Sequence, residues 1–275
     1  MRAAFFDLDK TVIAKASMLA FGRTFYKEGM ISRRTILRSV YAQLVYKYLG
    51  ANEKQLAKLR EVGLSVTKGW DRSLVSAIVA ETMTEIVEPL IYKEALDLIS
   101  EHKDHGDLVF IVSASPSEIV EPLGDRLAVD GVIATISKVD QDGRYTGEMD
   151  FYAYGPYKAH AMEDLAKRHG FDLADSYAYS DSYTDLPMLE AVGHPIVVNP
   201  DRVLAKIAKE RNWKSLTFTN PVRVREGAVR SSTPTALVAL TAATTTVVIG
   251  GFFLLLKVRR LSQQLRIALG VPPIN

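Results

Sequence analysis

Five short apolar runs separated by helical patterns constrain this chain more than any other feature. They are AAFF (3–6), closed by Asp7, then LVFIVSAS (108–115), VIATIS (132–137), SYAYSD (176–181) and HPIVVNP (194–200). Runs of this length and apolarity suit strands buried on both faces. Pro195, at the head of the last run, sits where a missing N–H donor is tolerated. Helical patterns fall at 116–127, 156–170 and 184–192, the second closed by Gly170 as a glycine stop. Strands alternating with helices predict an α/β fold, a doubly wound parallel sheet with ligands at the carboxyl ends of its strands.

No strand signal interrupts the stretch from Ala14 to His105, where helices are predicted at 17–28, 33–49, 53–68, 73–86 and 92–103. An insertion of this size after the first strand reads as a helical cap (15–105) over a core made of 1–14 and 106–216, a lid for a site at the sheet edge. GRYTGEM (143–149) reads as a hairpin or bulged extension after the third strand.

Lys and Arg number 34 against 32 Asp and Glu, a net charge of +2, so there is no basic field to suggest a nucleic-acid partner. Cysteine is absent, which excludes disulfides and thiolate chemistry and leaves oxygen or imidazole as metal ligands. The five histidines show no ligand spacing. The N-terminus has no charged-then-apolar leader, so no secretory signal is expected.

The C-terminal end differs in kind. Residues 231–256 carry no charge, and 235–256 alone would make a helix about 33 Å long, enough to span a bilayer. The expectation is a linker (217–233), a transmembrane helix (234–256) and a basic tail (257–275), with the catalytic domain cytoplasmic on a single-pass membrane protein. Lys and Arg on the two flanks do not settle orientation. The tail could instead lie on the membrane surface as a basic amphipathic helix. Ala, Thr and Gly in the segment would suit helix–helix self-association in lipid.

Chemistry-bearing residues gather at three predicted strand ends: Asp7 and Asp9, Ser113 and Ser115, Asp181 and Asp185. A parallel sheet brings all three ends to one edge. Four carboxylates there repel, and a hard divalent cation with oxygen ligands relieves them; Mg²⁺ is expected, and with it a phosphorylated substrate. Residues i and i+2 of an extended strand end face one side, so Asp7 and Asp9 can reach one ligand while Leu8 packs the other way. One carboxylate can attack phosphorus and the other can move protons. Ser115, just ahead of Pro116, reads as a helix N-cap.

These motifs resemble those of the haloacid dehalogenase-like hydrolases. DLDKT is similar to the DxDxT first motif, IVSAS to the strand-to-serine second motif, Lys158 in YGPYKAHA to the lysine motif, and SDSYTDLPML to the acidic fourth motif. The helical insertion resembles subfamily IB, the group of the phosphoserine phosphatases. The resemblance implies Asp7 as nucleophile and metal ligand, and Asp9 as general acid/base with its carbonyl on the metal. It further implies Thr11, Ser113, Ala114, Lys158 and Thr184 around the phosphate, and Asp181 and Asp185 on Mg²⁺. Ala16 stands where many phosphoserine phosphatases have an amine-recognising glutamate, Thr184 where asparagine is frequent, and Lys10 where glycine is common. The expected activity is hydrolysis of a phosphomonoester, with a phosphorylated lipid or lipid precursor favoured by the membrane segment. Phosphoserine or another small soluble ester is the alternative, and a non-catalytic membrane scaffold is a third reading of another class.

Overall fold

The structure, a computed structural model, describes residues 1–32, 61 and 63–221. Seven strands stand among them: β1 (Ala3–Asp7), β2 (Leu108–Pro116), β3 (Gly131–Val139), β4 (Tyr145–Phe151), β5 (Tyr177–Ser180), β6 (His194–Val198) and β7 (Lys214–Leu216). They form one sheet in the order β4-β3-β2-β1-β5-β6-β7. Every pairing is parallel except β3 with β4, so the sheet is mixed where a wholly parallel one was expected. The antiparallel strand is the predicted hairpin, with Gly143 at a φ of 74° in its turn. β7 went unpredicted because only three residues pair, and two of them are exposed.

β1 is central, with β2 on one side and β5 on the other. The chain winds outward in opposite directions from it, which opens a crevice at the carboxyl end of β1. Alternation along β1 divides the core into two layers. Ala4, Phe6 and Leu8 join the layer under helices α2 (Arg72–Ile86), α3 (Lys93–Asp104) and α4 (Ser117–Arg126). Ala3 and Phe5 join the other, under α5 (Pro156–His169), α6 (Leu186–Glu190) and α7 (Arg202–Glu210). Burial of both faces explains why the strands read as continuous apolar runs.

Within the predicted cap, α1 runs Ser17–Lys27 and α2 follows at Arg72–Ile86. Asp71 caps α2 by accepting from the N–H groups of Ser73 and Leu74. The helices expected at 33–49 and most of 53–68 lie outside the described residues. α3 packs on the sheet: His102 lies between Asp107 Oδ2 at 2.8 Å and the Tyr179 hydroxyl at 2.7 Å. Residues 217–221, the start of the expected linker, are tied to the fold. Phe218 and Asn199 exchange two hydrogen bonds, and Glu94 accepts from the N–H groups of Thr219 and Asn220.

The expectation of a single-pass membrane protein with a cytoplasmic catalytic domain is corrected: among the described residues no helix is long and apolar enough to cross a membrane. The segment 234–256 that prompted it, the proposed self-association through it, and the basic tail lie outside those residues.

Candidate active site

β1 ends at Asp7 and the chain turns sharply, with the N–H groups of Val12 and Ile13 both donating to the Leu8 carbonyl at 3.0 Å. Leu8 is fully buried in the core, while Asp7 and Asp9 lie at the sheet edge. Lys10 takes a φ of 65° in this turn, the left-handed region that favours glycine, which is the physical meaning of glycine being common there. Its amine stands 3.7 Å from Asp181 Oδ2.

Lys158 arrives from the other side. Gly155 precedes α5 with φ 55° and ψ −127°, a conformation that side chains strain to adopt, and Pro156 pre-sets the first helical φ. That turn aims Lys158, 2 % exposed, into the carboxylates. Its Nζ donates to Asp7 Oδ1 at 2.7 Å and lies 2.8 Å from Asp185 Oδ1. The second oxygen of Asp185 accepts from the Ser180 hydroxyl at 2.7 Å. Lysine therefore sits between two acids, one on the strand-one end and one on the loop after β5.

Burial pushes the Asp7 carboxyl well above its ordinary range; Lys158 opposes this, and Asp185 and Asp181 add to it. Asp181 is pushed up to about 6, first by burial and then by Asp185 and Asp201, with Lys10 and Lys158 opposing. Lys158 is held above its ordinary value: burial alone would lower it, and the charges of Asp185 and Asp7 more than offset that. The centre is thus crowded with negative charge that one buried lysine only partly balances.

Among the described residues no three acidic or imidazole side chains come close enough to form a ready ligand set for a metal ion. Mg²⁺ does not require one, since it keeps several waters and takes only one or two carboxylates. The residues present fit that pattern. All the donors are oxygens, Asp7 and Asp181 are raised partly by carboxylate repulsion, and both Asp185 oxygens already have partners.

Other residues singled out in the sequence take these places. Thr11 is fully buried and its Oγ1 has no hydrogen-bond partner among the described residues. Ser113 is 1 % exposed and accepts from the Ser115 N–H at 3.1 Å. The Ala114 carbonyl accepts from the Thr135 hydroxyl at 2.8 Å. The Thr184 hydroxyl pairs with that of Ser182 at 3.0 Å. Ser115 is not a helix cap: Pro116 holds that position without a side-chain bond, and the Ser115 hydroxyl donates to Asp9 Oδ2 at 3.2 Å. Sequence reasoning missed Ser180 and Asp201, which brace the acidic loop. Asp201 accepts from the Tyr183 N–H through Oδ2 and donates its own N–H to the Asp181 carbonyl. It also missed Ser17, whose N–H donates to Asp9 Oδ1 at 2.7 Å. No spacing rule marks a serine ten residues after Asp7.

The chain is similar to known proteins along most of its length. A protein of Streptomyces azureus described as an inhibition of morphological differentiation protein is 50% identical over 242 residues, covering 87% of each chain. A probable phosphatase of Mycobacterium tuberculosis is 48% identical over 241 residues, covering 88% of this chain and 83% of its own. A phosphoserine phosphatase of the same organism is 35% identical over 243 residues, covering 88% and 77%. The family model for haloacid dehalogenase-like hydrolases matches residues 4–190, a span that opens at β1 and takes in Lys158 and the acidic loop after β5. This chain belongs to that family and is one of its phosphatases.

Proposed function

We propose that the protein hydrolyses a small, soluble phosphate monoester through an aspartyl-phosphate on Asp7. The observation that carries this reading is Lys158, buried between Asp7 and Asp185 at the crevice beside β1. A buried ammonium held against a carboxylate nucleophile is suited to steady the extra charge that a bound phosphoryl group brings.

An Asp7 oxygen forms a bond to phosphorus as the bond to the leaving oxygen breaks, and a proton on Asp9 passes to that oxygen. Asp9 then takes a proton from water, the water oxygen bonds to phosphorus, and the acyl-phosphate bond breaks to return the Asp7 carboxylate. Thr11, with its unpartnered buried hydroxyl, and Ser113 stand at the strand ends where phosphate oxygens would lie. Asp7, Asp181 and the Asp9 carbonyl would hold Mg²⁺, which when bound supplies positive charge to the phosphoryl oxygens. Asp185 keeps Lys158 in place.

The lipid reading rested on the membrane segment, and nothing among the described residues supports it. A small ester accords with the relative named phosphoserine phosphatase. Ala16, directly ahead of α1, offers no carboxylate for an amine, so phosphoserine belongs in the panel as one candidate among several.

The test is phosphate release by the full chain from phosphoserine, glycerol phosphate, other small alkyl phosphates and p-nitrophenyl phosphate, with Mg²⁺ or EDTA. Metal-dependent release, lost in Asp7→Asn and reduced in Asp9→Asn, is the expected result. Release that persists in a folded Asp7→Asn variant would overturn the mechanism.

A further inference from the structure

Helix α1 lacks a cap of its own. Ala16 occupies the N-cap position with no side-chain hydrogen bond, leaving the first N–H groups of the helix to find partners elsewhere. Asp9 supplies one, accepting from the Ser17 N–H at 2.7 Å through Oδ1. Its other oxygen, Oδ2, accepts from the Ser115 hydroxyl at 3.2 Å. The two serine hydroxyls lie 2.7 Å apart, and with Ser115 donating to Asp9 the Ser17 hydroxyl donates to Ser115. Ser17 is fully buried and Ser115 is 5 % exposed, whereas Asp9 is half-buried and open on one side. The Ser115 N–H is itself fixed on Ser113 Oγ.

We propose that Ser115 and Ser17 are positioning residues for Asp9, holding the carboxylate that moves the proton in one orientation between the β2 end and the first turn of α1. The proposal rests on the reading of Asp9 as general acid and base. A proton-transfer group acts within about 3 Å of the atom it serves, and its contribution falls steeply when it turns away. A carboxylate anchored at one oxygen can swing about its side-chain torsions; anchored at both, it cannot. The serines neither touch the phosphoryl group nor give up a proton, and no bond to them forms or breaks in the reaction. Because one anchor is the first N–H of α1, movement of that helix away from the sheet would release Asp9 as well.

The test uses the dependence on leaving group. An alkoxide leaves poorly and needs the Asp9 proton, while p-nitrophenolate leaves without it. The value of kcat/KM covers steps only through transfer to Asp7, so the ratio of kcat/KM for the best alkyl ester in the panel to that for p-nitrophenyl phosphate isolates the acid role. In Ser115→Ala the ratio should fall roughly tenfold, a part of the hundredfold or more that general acids contribute. Ser115→Thr, which keeps the hydroxyl, should restore most of it. Ser17→Ala keeps the backbone donor and should lower the ratio about threefold by the same reasoning. A ratio unchanged in Ser115→Ala, or rates that fall equally for both esters in step with the urea midpoint, would overturn the proposal and leave the serines a purely structural role. If Ser115→Ala does not fold, Ser17→Ala and Ser115→Thr decide by the same ratio. Absence of phosphate release from every ester by the wild-type chain would instead overturn the underlying reading of the reaction.

Discussion

Replacing Lys158 with methionine, close in length but uncharged, tests the electrostatic account of the site. In the native protein Nζ is 2.7 Å from Asp7 and 2.8 Å from Asp185, on a side chain 3% exposed. Without the ammonium, two buried carboxylates face each other, and the folded variant survives by taking up a proton. The unfolded chain ionises an aspartate at its ordinary value of 3.8, so keeping one protonated costs at most 2.303RT(pH − 3.8). This ceiling is about 4 kcal/mol at pH 7 and about 1.6 kcal/mol at pH 5. The first figure lies within the roughly 3–5 kcal/mol typical of a broken buried ion pair. The sign follows from the two folded states. Asp7 is already held above its ordinary value in wild type, with Lys158 opposing, so removing the ammonium raises it further. The folded variant therefore binds more protons than folded wild type, and the deficit grows as pH rises. Lys158 itself is held above its ordinary value, so its contribution to wild type is fully present across this range. Urea unfolding followed by tryptophan fluorescence at pH 5, 6 and 7 in EDTA gives both stabilities. We expect a deficit of up to about 4 kcal/mol at pH 7 that is smaller at pH 5. A deficit below about 1 kcal/mol, or one that does not change with pH, would refute the picture of a lysine balancing two acids.

Adding Mg²⁺ to the full chain at pH 7.5 should raise the thermal midpoint, because the cation relieves repulsion at Asp7 and Asp181. Protons compete with it at Asp7 and at Asp181, the latter held up to about 6, so the apparent affinity should fall at least about tenfold per pH unit below that value. Calorimetric titration at pH 7.5 and 5 checks this, and equal affinity at both would contradict it. Gly193→Ala should cost about 2–3 kcal/mol in urea unfolding, because a Cβ there would lie 1.7 Å from the Ala174 carbonyl oxygen and force backbone apart. A fully stable variant would mean that the 173–175 turn yields easily.

Much of this architecture was legible in the chain because burial writes itself into sequence. β1, β2, β5 and β6 are covered on both faces, so each appears as an unbroken apolar run, and the structural bounds depart from the predicted ones by a residue or two. Lys158 and the three aspartates of its neighbourhood were found because they recur in motifs that follow strand ends. What the sequence hid depends on tertiary partners. β7 is three residues held by pairing with β6, and no local pattern announces it. Ser115 beside a proline looked like a cap, because N-capping is the commonest local use of a serine there; a carboxylate more than a hundred residues away in sequence claims it instead.

The same contrast separates the two aspartates of the opening motif. Asp7 is answered by charge: a buried lysine, two neighbouring acids and a carboxyl driven upward by burial. Asp9 is answered by neutral donors, one amide and one hydroxyl, on a side chain still partly open. In the proposed reaction Asp7 would accept a phosphoryl group and release it, and a cation that steadies charge without moving suits that role. Asp9 would give up a proton and take one back, and anchors that fix its direction and carry no charge of their own suit that one. On this proposal two carboxylates two residues apart divide one reaction because the fold surrounds them differently. The difference comes from elements that the motif does not contain: α5 with Lys158, the β2 end with Ser115, and the first turn of α1 with Ser17.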